Sequence, residues 1–205
     1  MLTSGHEQEA SSVPDADLNP TETTGYKVGQ QKTVEELAQL DAEDESLVRW
    51  KASLGVGAGA KPTAGSGPAV TVLSLSLSSP SRPTPIELDL TTPAALSALK
   101  SDPIVIKEGA EYSVELRFRV NHGLVSGLKY IQVVRRLGKN WDKLEAMCGS
   151  YGAKDEPYVK KFPAEEAPTG MIARSGTYTV RSRVTDDDKT VHADFEWYFK
   201  LGKEW

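Results

Sequence analysis

From Ala69 onward the apolar residues recur at every second position. Val70 and Val72, then Leu73, Leu75 and Leu77, alternate with Ser74, Ser76 and Ser78. The cleanest run is Glu111–Val120. There Tyr112, Val114, Leu116, Phe118 and Val120 share one face, and Ser113, Glu115, Arg117 and Arg119 the other. Such a period of two marks strands with one buried face. Segments 128–136, 176–184 and 191–201 repeat the pattern, and Gly/Pro clusters at 78–85, 107–110, 136–140 and 149–157 separate the runs as turns. Short strands at this spacing predict an all-β, antiparallel sandwich. With one cysteine, Cys148, the chain lacks the Cys…Trp…Cys pattern of disulfide-bonded antibody domains. A helical turn is expected at 96–100, after Thr92-Pro93.

Before Ala69 the period is helical. Thr33-Val34-Glu35-Glu36 is a capping box, with Val34, Leu37 and Ala38 on one face and Leu40 beside it. Ser46 is a second N-cap candidate, followed by the stripe Leu47, Trp50, Leu54. Each helix is shorter than the ~12–15 residues that hold in isolation. They either fray, dock on their own domain or fold on a partner. Residues 1–25 are polar and acidic and are expected to be disordered. Residues 55–68, GVGAGAKPTAGSGP, form a flexible linker. The expected organisation is therefore a tail (1–25), a helical arm (26–54), the linker (55–68) and a sandwich (69–205).

Charge sharpens that division. The whole chain carries a net −5, but residues 1–68 hold 5 Lys/Arg against 11 Asp/Glu, whereas 69–205 are nearly balanced. An acidic chain is a poor candidate for nucleic acid. Neither a secretory leader nor a membrane-spanning run is legible, so a soluble, cytoplasmic protein is expected.

Catalytic chemistry finds little support. A lone cysteine and three histidines (His6, His122, His192) leave no zinc or disulfide framework. Asp186-Asp187-Asp188 lacks EF-hand spacing and reads as a charged hairpin turn. Glu165-Glu166 are adjacent on an extended segment and point apart, unlike a catalytic pair. Cys148 has no base at a recognisable offset and reads as an inert buried thiol. The glycines of 55–67 have no preceding strand and no Gly-Lys-Ser/Thr ending, so they make no phosphate loop. No enzyme and no cofactor are expected.

Several strings are more specific than these patterns. They are Val125-Ser126-Gly127-Leu128-Lys129-Tyr130-Ile131-Gln132, Gly149-Ser150-Tyr151-Gly152, Glu165-Glu166-Ala167-Pro168 with Gly170-Met171 and Ala173-Arg174, and Thr185-Asp186-Asp187-Asp188-Lys189-Thr190. The closing Lys203-Glu204-Trp205 joins them, with Ile86-Glu87-Leu88-Asp89-Leu90 and Lys107-Glu108-Gly109. Tyr26-Lys27 and Leu40-Asp41…Asp44-Glu45-Ser46-Leu47 add the arm. Together, from residue 26 to the end, they resemble the Rho GDP-dissociation inhibitor family.

The resemblance implies an immunoglobulin-like sandwich with a flexible regulatory arm and no catalytic activity. It implies a partner, a prenylated Rho-family GTPase in its GDP state, bound one to one by a monomer and taken from membranes in competition with lipid. The geranylgeranyl group would be the ligand. Its burial in a bilayer is worth roughly 0.8 kcal/mol per CH₂, so a C20 chain needs an enclosed apolar slot to replace it. By match to the family, the slot candidates are Leu75, Leu77, Ile104, Tyr112, Leu124, Val180 and Trp197, with Leu54 closing over them. Tyr26, Asp44, Ser46, Trp50 and Asp188 would meet the GTPase switch regions, and Asp142, Glu165 and Glu166 its basic tail. Thr33 stands where the family carries a phosphorylatable serine. The alternative is a general carrier of lipidated proteins on the same sandwich.

Overall fold

The computed structural model describes residues 13–21, 36, 39, 40, 42–54 and 67–205. Among these described residues nine strands form two sheets. The first has the order β2-β1-β4-β7, from β1 (Val70–Ser79), β2 (Arg82–Asp89), β4 (Glu111–Val120) and β7 (Tyr158–Glu166). The second has the order β3-β9-β8-β5-β6, from β3 (Ile104–Lys107), β5 (Leu124–Arg136), β6 (Lys139–Gly152), β8 (Tyr178–Thr185) and β9 (Val191–Gly202).

The alternation along β4 does what the sequence predicts. Val114, Leu116, Phe118 and Val120 enter a core shared with Leu75, Leu77, Tyr130, Val180 and Trp197 from the other strands. One pairing departs from the antiparallel expectation. β3 runs parallel to β9, with Ile104 opposite Phe199. Between β2 and β3 lies helix α2 (Pro93–Ser101), twice the turn expected. Thr92 Oγ1 caps it by accepting from Ala95 N–H, and Pro93 takes the first helical position, where a missing N–H is harmless.

Two expected turns are strands. β2 begins inside the Pro-rich segment 78–85 and carries Pro83 and Pro85. Being an edge strand, it tolerates residues that cannot donate to a ladder. β6 continues through Gly149 to Gly152, again at a sheet edge. The segment 136–140 is a true hairpin tip. Leu137 and Gly138 both have positive φ (49° and 73°), the geometry whose twist matches flanking strands. Residues 186–190 form the charged β8–β9 turn that the sequence predicts.

The tail also departs from expectation. Residues 13–21 lie on the outer face of the five-stranded sheet, with Asp15–Leu18 as one 3₁₀ turn. Val13 and Leu18 are buried there against Ile131 and Val133, a cluster separate from the main core. Disorder over all of 1–25 therefore does not hold for this stretch. Its two apolar side chains find a prepared surface that composition could not reveal.

Candidate functional site

At one end of the sandwich, β4 and β7 face β5, β8 and β9 across a cavity of about 440 Å³. Tyr112, Val134, Tyr178 and Phe199 line its apolar side, with Trp141 and Pro168. Asp142, Glu165 and Glu166 line the rest. Alternation along β4 aims Tyr112 inward, and register places it opposite Glu165 of β7. Tyr112 Oη donates to Glu165 Oε2 at 3.1 Å. Burial raises the Tyr112 phenol well above its ordinary range, and the Glu165 charge adds to this. Burial also raises the Glu165 carboxyl, aided by Asp142; the bond from Tyr112 offsets part of the shift.

The wall opposite is aromatic. Tyr178 and Phe199 stack at 4.6 Å, and Trp141 meets the Tyr178 edge at 6.0 Å. The Arg136 guanidinium lies over Tyr178 at 5.1 Å and over Trp141 at 5.9 Å. It is held there by the carbonyls of Ile172 and Ser175, in and just after the single turn α3 (Met171–Arg174).

Deeper between the sheets are Leu75, Leu77, Val180 and Trp197, each at most 3% exposed. Ile104 and Tyr112 are half-buried against the same core. Of the residues expected to form a slot, Leu75, Leu77, Val180 and Trp197 thus belong to the sandwich core, Ile104 and Tyr112 pack against it, and Tyr112 lines the cavity. Leu124 stands apart. It opens β5 opposite Gly152, roughly 30 Å along the strand from Val134 at the cavity, at ~3.3 Å per residue. A buried hydrogen-bond chain crosses the core beside Trp197. Trp197 Nε1 donates to Ser182 Oγ at 3.2 Å, Ser182 meets Tyr130 Oη at 2.9 Å, and Tyr130 donates to Gln132 Oε1 at 2.7 Å.

The acidic residues read as pointing apart, Glu165 and Glu166, both border the cavity at the end of β7. Asp188 is exposed on the β8–β9 turn. Next to it Asp187 pairs with Lys129 at 3.5 Å, and its N–H donates to Ser126. Asp186 accepts from His192 at 2.8 Å. Burial opposes ionisation of Asp186, but His192 and the N–H groups of Thr190 and Asp188 together outweigh it and hold the carboxyl below its ordinary range. Cys148 is buried, and desolvation pushes its thiol up to about 11, which makes it a poor nucleophile.

In the arm, helix α1 (Glu45–Ser53) is capped by Asp44, not by Ser46. Asp44 Oδ1 accepts from Ser46 N–H at 2.8 Å and Leu47 N–H at 3.2 Å, so Ser46 lies within the first turn. Asp44 prevails because it precedes the helix with an extended backbone. Trp50 is 52% exposed, and Leu47 and Val48 are exposed beside it. Leu54 is the half-buried C-cap, and it is not among the described residues packed on the sandwich core. Lys51 Nζ donates to the Leu40 carbonyl, and Leu40 N–H to Glu36, so the two arm segments are tied together. Tyr26 and Thr33 lie outside the described residues.

A larger cavity, about 720 Å³, lies elsewhere, between α2 and the outer faces of β8 and β9. Lys100, Arg181, Asp194 and Glu196 line it, a charged wall unsuited to an isoprenoid. Val134, Trp141, Pro168, Tyr178 and Phe199 are the cavity residues that sequence reasoning missed. Alternation shared with Val180 and Trp197 was the signal that could have found Tyr178 and Phe199.

A model of the family described as RHO protein GDP dissociation inhibitor matches residues 10–204. The chain belongs to the Rho GDP-dissociation inhibitor family. The Rho GDP-dissociation inhibitor 1 of Rattus norvegicus is 45% identical over 183 residues, 89% of this chain and 88% of that one. The Rho GDP-dissociation inhibitor of Schizosaccharomyces pombe is 42% identical over 178 residues, 87% and 86% of the two chains. Rho GDP-dissociation inhibitors are non-catalytic regulators of Rho GTPases, and this is one of them. The match starts at residue 10, earlier than the strings beginning at Tyr26, and so takes in the docked segment 13–21. Among the described residues no helix is long and apolar enough to cross a membrane.

Proposed function

We propose that this Rho GDP-dissociation inhibitor binds prenylated Rho-family GTPases in the GDP state. It inhibits GDP release and removes them from membranes by sheltering the geranylgeranyl group between the sheets of an immunoglobulin-like sandwich. It acts in the cytoplasm as a monomer that forms a 1:1 complex. The observation that carries this reading is the composition of one cavity, where Tyr112, Tyr178 and Phe199 meet Asp142, Glu165 and Glu166. A lipidated cysteine at the end of a basic tail presents those two chemistries in immediate succession. The isoprenoid enters past Tyr112 toward Leu77, Ile104, Val180 and Trp197, and the tail stays with the carboxylates. Those carboxylates replace the anionic lipid the tail leaves behind. Orientation and association rate gain more from such dispersed charge than affinity does.

The arm supplies the other half. Asp44, Ser46 and the exposed Trp50 meet the switch regions, Tyr26 begins the ordered contact, and Asp188 approaches from the sandwich. Leu54 closes over the slot once the arm is engaged. A phosphate on Thr33 adds negative charge to an already acidic arm and weakens its grip.

Extraction of a geranylgeranylated, GDP-loaded Rho GTPase from liposomes tests the reading. Stoichiometric release into solution is expected, with much weaker binding of the unprenylated GTPase. Equal binding of both forms without extraction overturns it. Equal binding of a prenylated peptide and the intact GTPase favours a general carrier.

A further inference from the structure

Ile131 and Val133 point away from the sandwich core yet are fully buried. On an outer sheet face such residues need a cover, and Val13 and Leu18 supply it. The polar contacts around them are equally specific. Asp15 bridges Arg181 at 2.7 Å and Arg183 at 3.0 Å. Both arginines also hold Asp194, at 2.7 Å and 2.6 Å, so Asp15 completes a cluster of two cations and two carboxylates. Arg181 further donates to the Val13 carbonyl at 2.7 Å. Farther along, Asn140 donates to Asp17 at 3.0 Å, and Thr21 donates to Glu145 through N–H at 2.9 Å and hydroxyl at 2.8 Å. The segment therefore crosses from β8 over β5 to the edge strand β6, and each end is fastened by a different strand.

We propose that residues 13–21, docked on the outer face of β5, β6 and β8, act as a strap for the arm that follows them. This strap pins the root of the arm, so that the GTPase meets residues 44–50 on a loop tied at both ends. The first tie is Thr21 on β6, and the second is the entry into β1 at Val70. A doubly tied loop samples less space than a tail, so less entropy is lost when it folds on a partner. The docking surface stands on its own contacts, whereas its effect on the GTPase rests on the arm reading above.

The test uses the full chain and Leu18→Asp, a change outside the sandwich core. In the wild type, amides of residues 13–21 are expected to show heteronuclear NOE values like those of the strands. In Leu18→Asp they fall to coil values, and the Ile131 and Val133 methyl resonances shift. Leu18→Asp is expected to weaken binding of a prenylated GDP-loaded GTPase by about 3- to 10-fold. Binding of a geranylgeranylated basic peptide is expected to stay unchanged. Coil values for 13–21 in the wild type overturn the docking surface. Unchanged GTPase affinity in a strap-free Leu18→Asp protein overturns the role of the strap. A parallel Asp44→Ala/Ser46→Ala protein separates the two readings: if exchange inhibition survives there, the arm reading is the one that fails.

Discussion

Tyr112 donates its hydroxyl to Glu165 across the β4–β7 register, joining the aromatic and the acidic side of the cavity in a single cross-strand pair. The bond has a consequence for pH. Glu165 titrates above its ordinary value in the folded protein because burial disfavours its charge. A raised folded value means that its contribution is fully present below the unfolded value of 4.5 and is lost as pH rises through the folded one. Glu165→Gln removes that loss. The variant is expected to gain stability over the wild type as pH rises from 4 to 7, read from urea midpoints. Tyr112→Phe deletes the interaction that lowers the Glu165 value, so an NMR titration of Glu165 is expected to move upward. A downward movement would contradict the geometry.

Ser182 is the hinge of the buried chain from Trp197 to Gln132. Ser182→Ala strands the indole N–H of Trp197 in the core. That costs about 1–3 kcal/mol of unfolding free energy. Adding Trp197→Phe removes the orphaned donor, so the double variant is expected to lose less than the sum of the single losses. Strict additivity in denaturant unfolding would show that the two residues are not coupled.

Gly127 has φ of +60°, and a Cβ placed there lies 1.8 Å from Asp187 Oδ2. Gly127→Ala therefore suffers twice. The left-handed backbone alone costs about 1–2 kcal/mol for a residue with a side chain. The clash also expels Asp187 from Lys129, its partner at 3.5 Å. In the background Asp187→Ala the clash is gone and the backbone cost remains. The Gly127→Ala penalty is thus expected to shrink there without vanishing, as thermal unfolding of the four proteins would show.

Asp44 has two assignments, as cap of α1 and as a contact for the GTPase. Asp44→Ala loses the cap and is expected to lower α1 stability by about 1 kcal/mol. Asp44→Asn retains an acceptor at the same place and keeps the helix. Backbone ¹³C shifts of residues 45–53 read the helix, and nucleotide-exchange assays read the contact. A larger loss of exchange inhibition in Asp44→Ala than in Asp44→Asn is expected.

Much of the sandwich is legible in the chain because side chains alternate along a strand whatever its neighbours are. Tyr112 to Val120 shows this at its plainest. β2 and β6 were obscured by Pro83, Pro85, Gly149 and Gly152, residues that edge strands accept because one side of their backbone needs no partner. In the arm, composition suggested Ser46 as the cap, and the extended backbone before the helix chose Asp44 instead.

The candidate site divides in the same way. Its slot and acidic residues were named through family resemblance; the structure sets Tyr112 beside Asp142, Glu165 and Glu166 in one cavity and leaves Leu124 at the far end of β5. The union of Tyr112, Trp141, Tyr178, Glu165 and Phe199 in one cavity was not legible, since it joins five strands in two sheets. Nor was the docking of Val13 and Leu18, because an apolar pair in a polar segment says nothing about a partner more than a hundred residues away. By itself the sequence determined local choices: period, turns, caps and the sign of charge on each segment. Tertiary structure decided which face meets which, because alternation specifies that a strand has two sides but not what each side will touch.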